Sequence, residues 1–194
     1  LANPVSHIHG DTVPESDMVV PFAMLLNLAS VSGAESKDVL WGFIRKYAPD
    51  ASPESHPGLD AAAGFAVRYF NDQVKPTRTF RAPTDQERAA LEDLAKGLRN
   101  QELAREMVEA KNRLMGNDDP VAPLDFASGE DLQSLCFAVG KNHDFQNLRE
   151  WFKAIYEVLM GASEGPRFGG FAALYGPEAT AELIERGLEG AFLT

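Results

Sequence analysis

Three side chains near the start of the sequence are typical metal ligands: His7, His9 and Asp11, in an H-x-H-x-D pattern. Several metal-dependent hydrolases use this pattern, in which two imidazoles and a carboxylate hold the ion. A complete site needs further ligands on a rigid scaffold, and the only other histidines are His56 and His143. We expect a loop and a helix at those two positions. The sequence therefore favours a solvated segment at the start of the chain over a metal site. A metal-dependent hydrolase is the least favoured function.

A second candidate for chemistry is the single cysteine, Cys136. It shares a predicted helical face with Leu132, Leu135 and Val139, so its neighbours are apolar and no histidine lies at a useful spacing. One cysteine provides neither a disulfide framework nor a thiolate metal cage within one chain. We predict a buried structural thiol, no catalytic residue in this chain, and a binding module as its general class.

Basic side chains are concentrated in one part of an acidic chain. The formal net charge is −11, which argues against indiscriminate binding to nucleic acid. Among four consecutive stretches of the chain, only residues 61–100 are net positive, and within residues 68–81 four basic residues oppose a single carboxylate, Asp72. Because distant charges are screened at physiological salt, a local cationic strip could still contact phosphate. The strip consists of Arg68, Lys75, Arg78 and Arg81.

A third candidate lies around two adjacent glycines, Gly169 and Gly170. An ordinary helix avoids such a pair, so a neighbouring group must come close to this backbone. One interpretation is tight packing between helices, with Phe168 and Phe171 in the core. The other is a surface where Arg167 and Phe168 stack on and bind single-stranded RNA. Periodicity does not choose between them.

The elements that must position these residues are helices. Apolar residues recur at three-and-four spacing in most of the chain, and no alternating run is long enough to predict a strand. Thr84 and Glu87 are spaced as a capping box, and Ser128 is a predicted N-cap. A helix from about Leu59 to Val74 would place Arg68 and Lys75, seven residues apart, on nearly the same side. The sequence thus predicts an all-α bundle or cage of about seven to nine helices, with little or no strand.

Length and composition set further bounds. A chain of 194 residues is long enough for one sizeable domain or two small ones. The longest apolar run, residues 19–29, falls short of the ~20 residues that a membrane span needs. There is no pattern of an export signal, so we expect a cytoplasmic location. The chain begins with Leu1, as expected for a piece of a longer protein.

Several stretches together resemble one known family, and they cover nearly the whole chain. They are residues 3–10, DMVVPFAMLLNLASVSGAESKDVLWGFIRKYAP at 17–49, AVRYFND at 66–72 and GPRFGGFAALYG at 165–176. These residues resemble the C-terminal half of class I lysyl-tRNA synthetase. The segment 101–126 does not match the pattern of that family.

The resemblance implies a role in lysine attachment to tRNA, with the chemistry located elsewhere. The adenylate-site signatures of the family, H-I-G-H and K-M-S-K-S, are absent, and the order of His7-Ile8-His9-Gly10 differs from the first of them. The resemblance therefore implies no cofactor in this chain, and ATP with Mg in a catalytic domain that precedes Leu1. It also implies a helical connecting segment over residues 1–83 and an anticodon-binding α-helical cage over residues 84–194.

The partners implied by the resemblance are lysine tRNA and the N-terminal catalytic domain of the same protein, with no membrane. Anticodon bases are unstacked, so they would be held by stacking and by phosphate contacts. The predicted nucleic-acid-binding residues are Arg68, Lys75, Arg78, Arg81, Arg167 and Phe168. The alternative hypothesis is a helical protein-interaction or regulatory domain without RNA binding, which the net charge of −11 motivates.

Overall fold

The computed structural model describes residues 17–193, which form an all-helical structure without a β-strand in that range. The all-α prediction is confirmed. Nine α-helices occur in the described residues: α1 (Phe22–Ser32), α2 (Lys37–Tyr47), α3 (Pro57–Tyr69), α4 (Asp85–Arg99), α5 (Gln101–Leu114), α6 (Gly129–Asn142), α7 (Leu148–Leu159), α8 (Phe168–Tyr175) and α9 (Pro177–Leu188).

Local capping signals set several helix ends as predicted. The Thr84 hydroxyl accepts a hydrogen bond from the Glu87 amide at 3.2 Å, and the Thr84 amide donates to the Glu87 carboxylate at 2.8 Å. This is the reciprocal capping box, which satisfies two amides that the first turn of α4 leaves without a helical partner. Ser128 caps α6 by accepting from the Asp131 amide at 3.2 Å. Asn100 ends α4 and caps α5.

The third helix differs from its prediction. It ends at Tyr69, and a π-helical turn, Phe70–Val74, and a 3-10 turn, Lys75–Thr77, follow it. A π turn contains more residues than an α turn, so a seven-residue separation no longer returns to the same side. Arg68 lies beside Gly64 on α3, whereas Lys75 faces the C-terminal end of α1. The continuous helix to Val74, on which the expectation of a shared side rested, is therefore not present.

Two hydrophobic cores organise the described residues. The first is formed mainly by α1, α2 and α3 and contains Leu25, Trp41 and Phe70. The second is formed by α4 to α9 and contains Trp151 and Phe168. Helix α8 joins them, because Leu174 packs in the first core while Phe171 packs in the second. The proposed division into residues 1–83 and 84–194 stays a prediction.

The glycine pair is a site of close helix packing. A Cβ atom at Gly169 would lie 2.0 Å from the Gly129 carbonyl oxygen and 2.5 Å from the Gln133 amide nitrogen, both on α6. The Gly169 amide donates a buried 2.7 Å hydrogen bond to the Gln133 side chain. Phe168 and Phe171 are each 1% exposed. The packing interpretation is correct, and the Phe168 ring is a core group that has no exposed face for a base.

Two further observations concern accessibility. Within residues 17–193, none of the helices combines the length and apolarity required to traverse a lipid bilayer. Cys136 has no exposed surface, which raises the pKa of its thiol well above the ordinary value by desolvation. The prediction of a buried structural thiol is confirmed.

Candidate nucleic-acid interface

A cleft of about 510 Å³ lies where the two cores meet. The C-terminal end of α1 (30–33) forms one wall, and the segment 75–80 that follows the π turn forms another. Helix α9 and the residues after it contribute Leu183, Arg186 and Phe192. Three cationic side chains line the cleft: Lys75, Arg78 and Arg186. None of the described residues that line it is acidic. We call this site the cationic cleft.

Arg78 is the most constrained cation of the cleft. Its guanidinium lies between two aromatic rings, with the carbon 5.0 Å from the centroid of Phe70 and 5.1 Å from that of Phe80. One terminal nitrogen donates to the Ser30 hydroxyl at 3.2 Å. The buried Nε has no hydrogen-bond partner among the described residues. Burial lowers the pKa of Arg78, which remains charged because the ordinary arginine value is far above neutral.

Arg186 provides a second guanidinium from the other core. It lies 5.1 Å from the Phe192 ring centroid, and the Phe192 ring contacts Phe80 at 5.4 Å. Two arginines on linked aromatic rings thus line the cleft, one from each core. The donors of an arginine lie in one plane, and this geometry matches the oxygens of a phosphate. Because stacking on a ring already limits the rotamers of the side chain, less conformational freedom is lost when an anion binds. The cleft is chemically suited to an anion.

The segment that carries Arg78 is held in place by contacts to α4, to α7 and to the turn that follows α7. The Thr79 amide donates to the Gly161 carbonyl at 2.9 Å. Arg81 donates to both oxygens of Glu87 at 2.7 and 2.9 Å, and to Glu157 at 2.6 Å. Two carboxylates therefore engage the Arg81 guanidinium. Arg81 positions the segment, and its predicted phosphate contact stays a prediction.

The Arg81 ion pairs should make stability depend on pH. Burial of the Glu87 carboxyl opposes its charged form, but the hydrogen bonds from Arg81 and Thr84 outweigh this and lower its pKa. The hydrogen bond from Arg81 also lowers the pKa of Glu157. Because both folded-state pKa values lie below the unfolded ones, the stabilisation is complete above the unfolded pKa and is lost as the pH falls through the folded pKa.

We expect Arg81→Met to lower the free energy of unfolding by about 1–3 kcal/mol at pH 7, because it removes the guanidinium that bonds both Glu87 and Glu157. The value is moderate because the Arg81 side chain is 37% exposed and water screens the pairs. The difference from the unmodified chain should shrink below about pH 4. Urea denaturation at several pH values measures it, with Arg113→Met, at an exposed position of α5, as control. A difference that stays constant from pH 7 to pH 3 would contradict the ion-pair origin.

The remaining predicted site residues do not join the cleft. Arg68 and Arg167 are exposed, and neither side chain has a hydrogen bond or ion pair within residues 17–193. They do not line the cationic cleft. Phe168 is removed from the candidate set because its ring lies in the core. The structure brings together only Lys75 and Arg78 of the six predicted residues.

Sequence reasoning missed Arg186 and Phe192, which lie more than 100 positions after Arg78. Arg186 is an exposed position on an amphipathic helix, which is the ordinary place for arginine and gives no local signal. The distribution of charge could not identify it either, because residues 136–194 are net acidic.

Two catalytic patterns carry no site in the described part of the chain. Residues 161–165, G-A-S-E-G, have the spacing of a serine-nucleophile turn, but they follow helix α7 instead of a strand. Ser163 is exposed and has no hydrogen bond to a histidine among residues 17–193. No group of three metal-ligating side chains occurs between residues 17 and 193. His7, His9 and Asp11 lie outside the described residues.

Comparison with known proteins gives a consistent set of relatives. The chain is 53% identical over all 194 of its residues to a lysine–tRNA ligase of Roseobacter denitrificans, of which it covers 32%. It is 37% identical over 186 residues to a lysine–tRNA ligase of Rickettsia felis, with 95% of the chain and 31% of the relative covered. It is 38% identical over 189 residues to a lysine–tRNA ligase of Rickettsia bellii, with 97% of the chain and 32% of the relative covered.

The chain spans about a third of the length of these curated relatives. No protein-family model matches it, and no solved structure matches it significantly. Identity of this level over the complete chain indicates homology. The chain is therefore homologous, over its whole length, to a segment that makes up about a third of each of these proteins named lysine–tRNA ligase.

Proposed function

We propose that this chain is the C-terminal part of a class I lysine–tRNA ligase and binds the anticodon arm of lysine tRNA. The parent enzyme would attach lysine to its tRNA with ATP and Mg in the portion outside this chain. The absence of the H-I-G-H and K-M-S-K-S signatures here supports this division of labour. It also leads us to expect that the chain alone does not aminoacylate. A cytoplasmic location follows from this role.

The observation that carries the proposal is the composition of the cationic cleft. A chain of net charge −11 repels polyanions over most of its surface, yet Lys75, Arg78 and Arg186 line one cleft without a carboxylate among its described lining residues. Such an arrangement restricts an anionic partner to one place, because contact elsewhere brings like charges together.

The cleft would serve the backbone of the RNA and not its sequence. Arginine and lysine contacts to phosphate set position and salt dependence, whereas bases are read by stacking and by hydrogen bonds to their edges. Recognition of the anticodon therefore requires a second surface. A helical protein-interaction domain, the alternative function, has no comparable support, since the relatives are named as tRNA ligases.

The test is direct binding of the chain to tRNA by fluorescence anisotropy. We expect lysine tRNA to bind, a version with a changed anticodon to bind at least about tenfold more weakly, and log K to fall linearly with log salt. An unrelated tRNA serves as the control for backbone binding alone. Equal affinity for the lysine tRNA and its anticodon variant would refute anticodon recognition, and the absence of all binding at low salt would refute an RNA role.

A further inference from the structure

An exposed aromatic ring on α6 lies in a small pocket of its own. Phe137 is 37% exposed, and the pocket around it has a volume of about 240 Å³. Its walls come from the end of α5, from α6 and from the start of α7: Lys111, Met115, Ser134, Lys141 and Leu148. We call this site the Phe137 pocket. It is separate from the cationic cleft and shares no residue with it.

The ring of Phe137 is held in a fixed orientation. Phe152 on α7 contacts it edge-to-face, with ring centroids 5.4 Å apart and an interplanar angle of 77°. A ring fixed in this way gives up little conformational freedom when a flat ligand stacks on it. The floor of the pocket is apolar, and Leu114 and Met115 beside it are 68% and 70% exposed. Exposed apolar side chains in such a group are typical of a binding surface.

The rim of the pocket carries positive charge. Lys111 and Lys141 both line it, and none of its described lining residues is acidic. Neither lysine has a hydrogen bond or ion pair from its side chain within residues 17–193. In a chain of net charge −11, two such lysines beside an exposed ring favour a ligand that is both anionic and aromatic.

We propose that the Phe137 pocket binds a single unstacked nucleotide of RNA. The base stacks on Phe137, and Lys111 and Lys141 contact the phosphates on either side of it. A volume of about 240 Å³ suits one base and lies below the range of about 300–1,000 Å³ in which a larger ligand is enclosed. The inference rests on the proposed function, in which unstacked anticodon bases need an aromatic platform. It assigns this role to α6 in place of the buried Phe168.

The test uses two RNA probes and the chain as it exists. One probe is the anticodon hairpin of lysine tRNA with 2-aminopurine in its loop, and the other is single-stranded hexauridylate. We expect Phe137→Ala to weaken binding of both probes about tenfold. It should also abolish the change in 2-aminopurine fluorescence that stacking produces. Phe137→Trp should restore both, which a merely structural role of the ring would not do.

Matched controls separate the pocket from general surface effects. Phe65→Ala removes a ring that is 51% exposed on α3, outside the pocket, and should leave binding unchanged. The double variant Lys111→Gln, Lys141→Gln should make the slope of log K against log salt shallower by the amount expected for the loss of about two phosphate contacts. Lys46→Gln, at an exposed position of α2, should leave this slope unchanged.

Each outcome decides between the two proposals. If the hairpin binds and Phe137→Ala changes neither affinity nor fluorescence, the pocket assignment is wrong and the anticodon function stands. If hexauridylate binding depends on Phe137 but the hairpin does not bind, the pocket stands and the anticodon function fails. If neither probe binds, both are overturned. Dimerisation of the chain in sedimentation that Phe137→Ala abolishes would identify a surface for self-association and overturn the nucleotide site.

Discussion

The Gly169→Ala variant should lose about 3 kcal/mol or more of unfolding free energy. The added Cβ would lie 2.0 Å from the Gly129 carbonyl oxygen and 2.5 Å from the Gln133 amide nitrogen. Both are backbone atoms of α6, which cannot move aside as a flexible side chain does. The helices must separate, and this disrupts the packing of Phe168 and Phe171 on the same helix.

Gly64→Ala is the matched control for this substitution. It also lies within an α-helix, but the nearest atoms to a Cβ there belong to the flexible side chains of Arg68 and Lys37, at 3.6 and 3.8 Å. Because alanine is the better helix former, we expect a gain of about 0.5–1 kcal/mol. Urea denaturation followed by circular dichroism measures both variants. An unchanged midpoint for Gly169→Ala would show that α6 and α8 are not packed as closely as the structure places them.

The combination of Arg186→Glu with Arg78→Gln should weaken tRNA binding by about 10- to 100-fold at moderate salt. Both side chains line the cationic cleft, and the substitutions remove one guanidinium from each core. The slope of log K against log salt should become shallower by about one for each phosphate that the variant no longer binds. Arg186→Glu alone is an informative variant, because its position on α9 is exposed and the substitution leaves both cores intact.

Lys46→Glu controls for net charge, since it makes the same change of −2 as Arg186→Glu at an exposed position of α2, outside the cleft. It should shift affinity only slightly and leave the slope unchanged. Filter binding at two or more salt concentrations supplies both quantities. If Arg186→Glu and Lys46→Glu have the same effect, the cleft has no special role and RNA contacts the protein elsewhere.

The cleft also has a consequence for how the two halves of the structure act together. Arg78 is carried by the segment next to the first core, and Arg186 by a helix of the second. A single RNA backbone bound between them would contact both halves, so binding should stabilise their relative arrangement. The Arg81 contacts to Glu87 and Glu157 already hold this arrangement in the absence of ligand.

Much of the fold could be predicted because the responsible interactions are local. The capping box of Thr84 and Glu87 and the N-cap at Ser128 involve residues three apart, which the order of amino acids specifies directly. The same is true of apolar periodicity, which predicted the all-α class. The burial of Cys136 followed from its place on such an apolar face.

The site could be predicted only in part because charge in a sequence does not reveal its partners. Arg81 and Arg78 are three residues apart and equally basic, yet two carboxylates engage Arg81, whereas Arg78 lies in a cleft with one nitrogen that no described residue satisfies. Glu157 lies 76 residues from Arg81, and no local pattern links them. The same limit applies to Phe168, whose burial depends on the passage of α6 over α8.

From its residue order alone, this chain specified helices, their caps, its cysteine environment and a resemblance to one family, because these depend on neighbours along the backbone or on motifs. The selection of Lys75, Arg78 and Arg186 as one cleft required the folded chain. So did the replacement of Phe168 by Phe137 as the candidate stacking ring. The physical reason is that exposure and pairing are properties of contacts between distant segments, and these contacts exist only after the helices have packed.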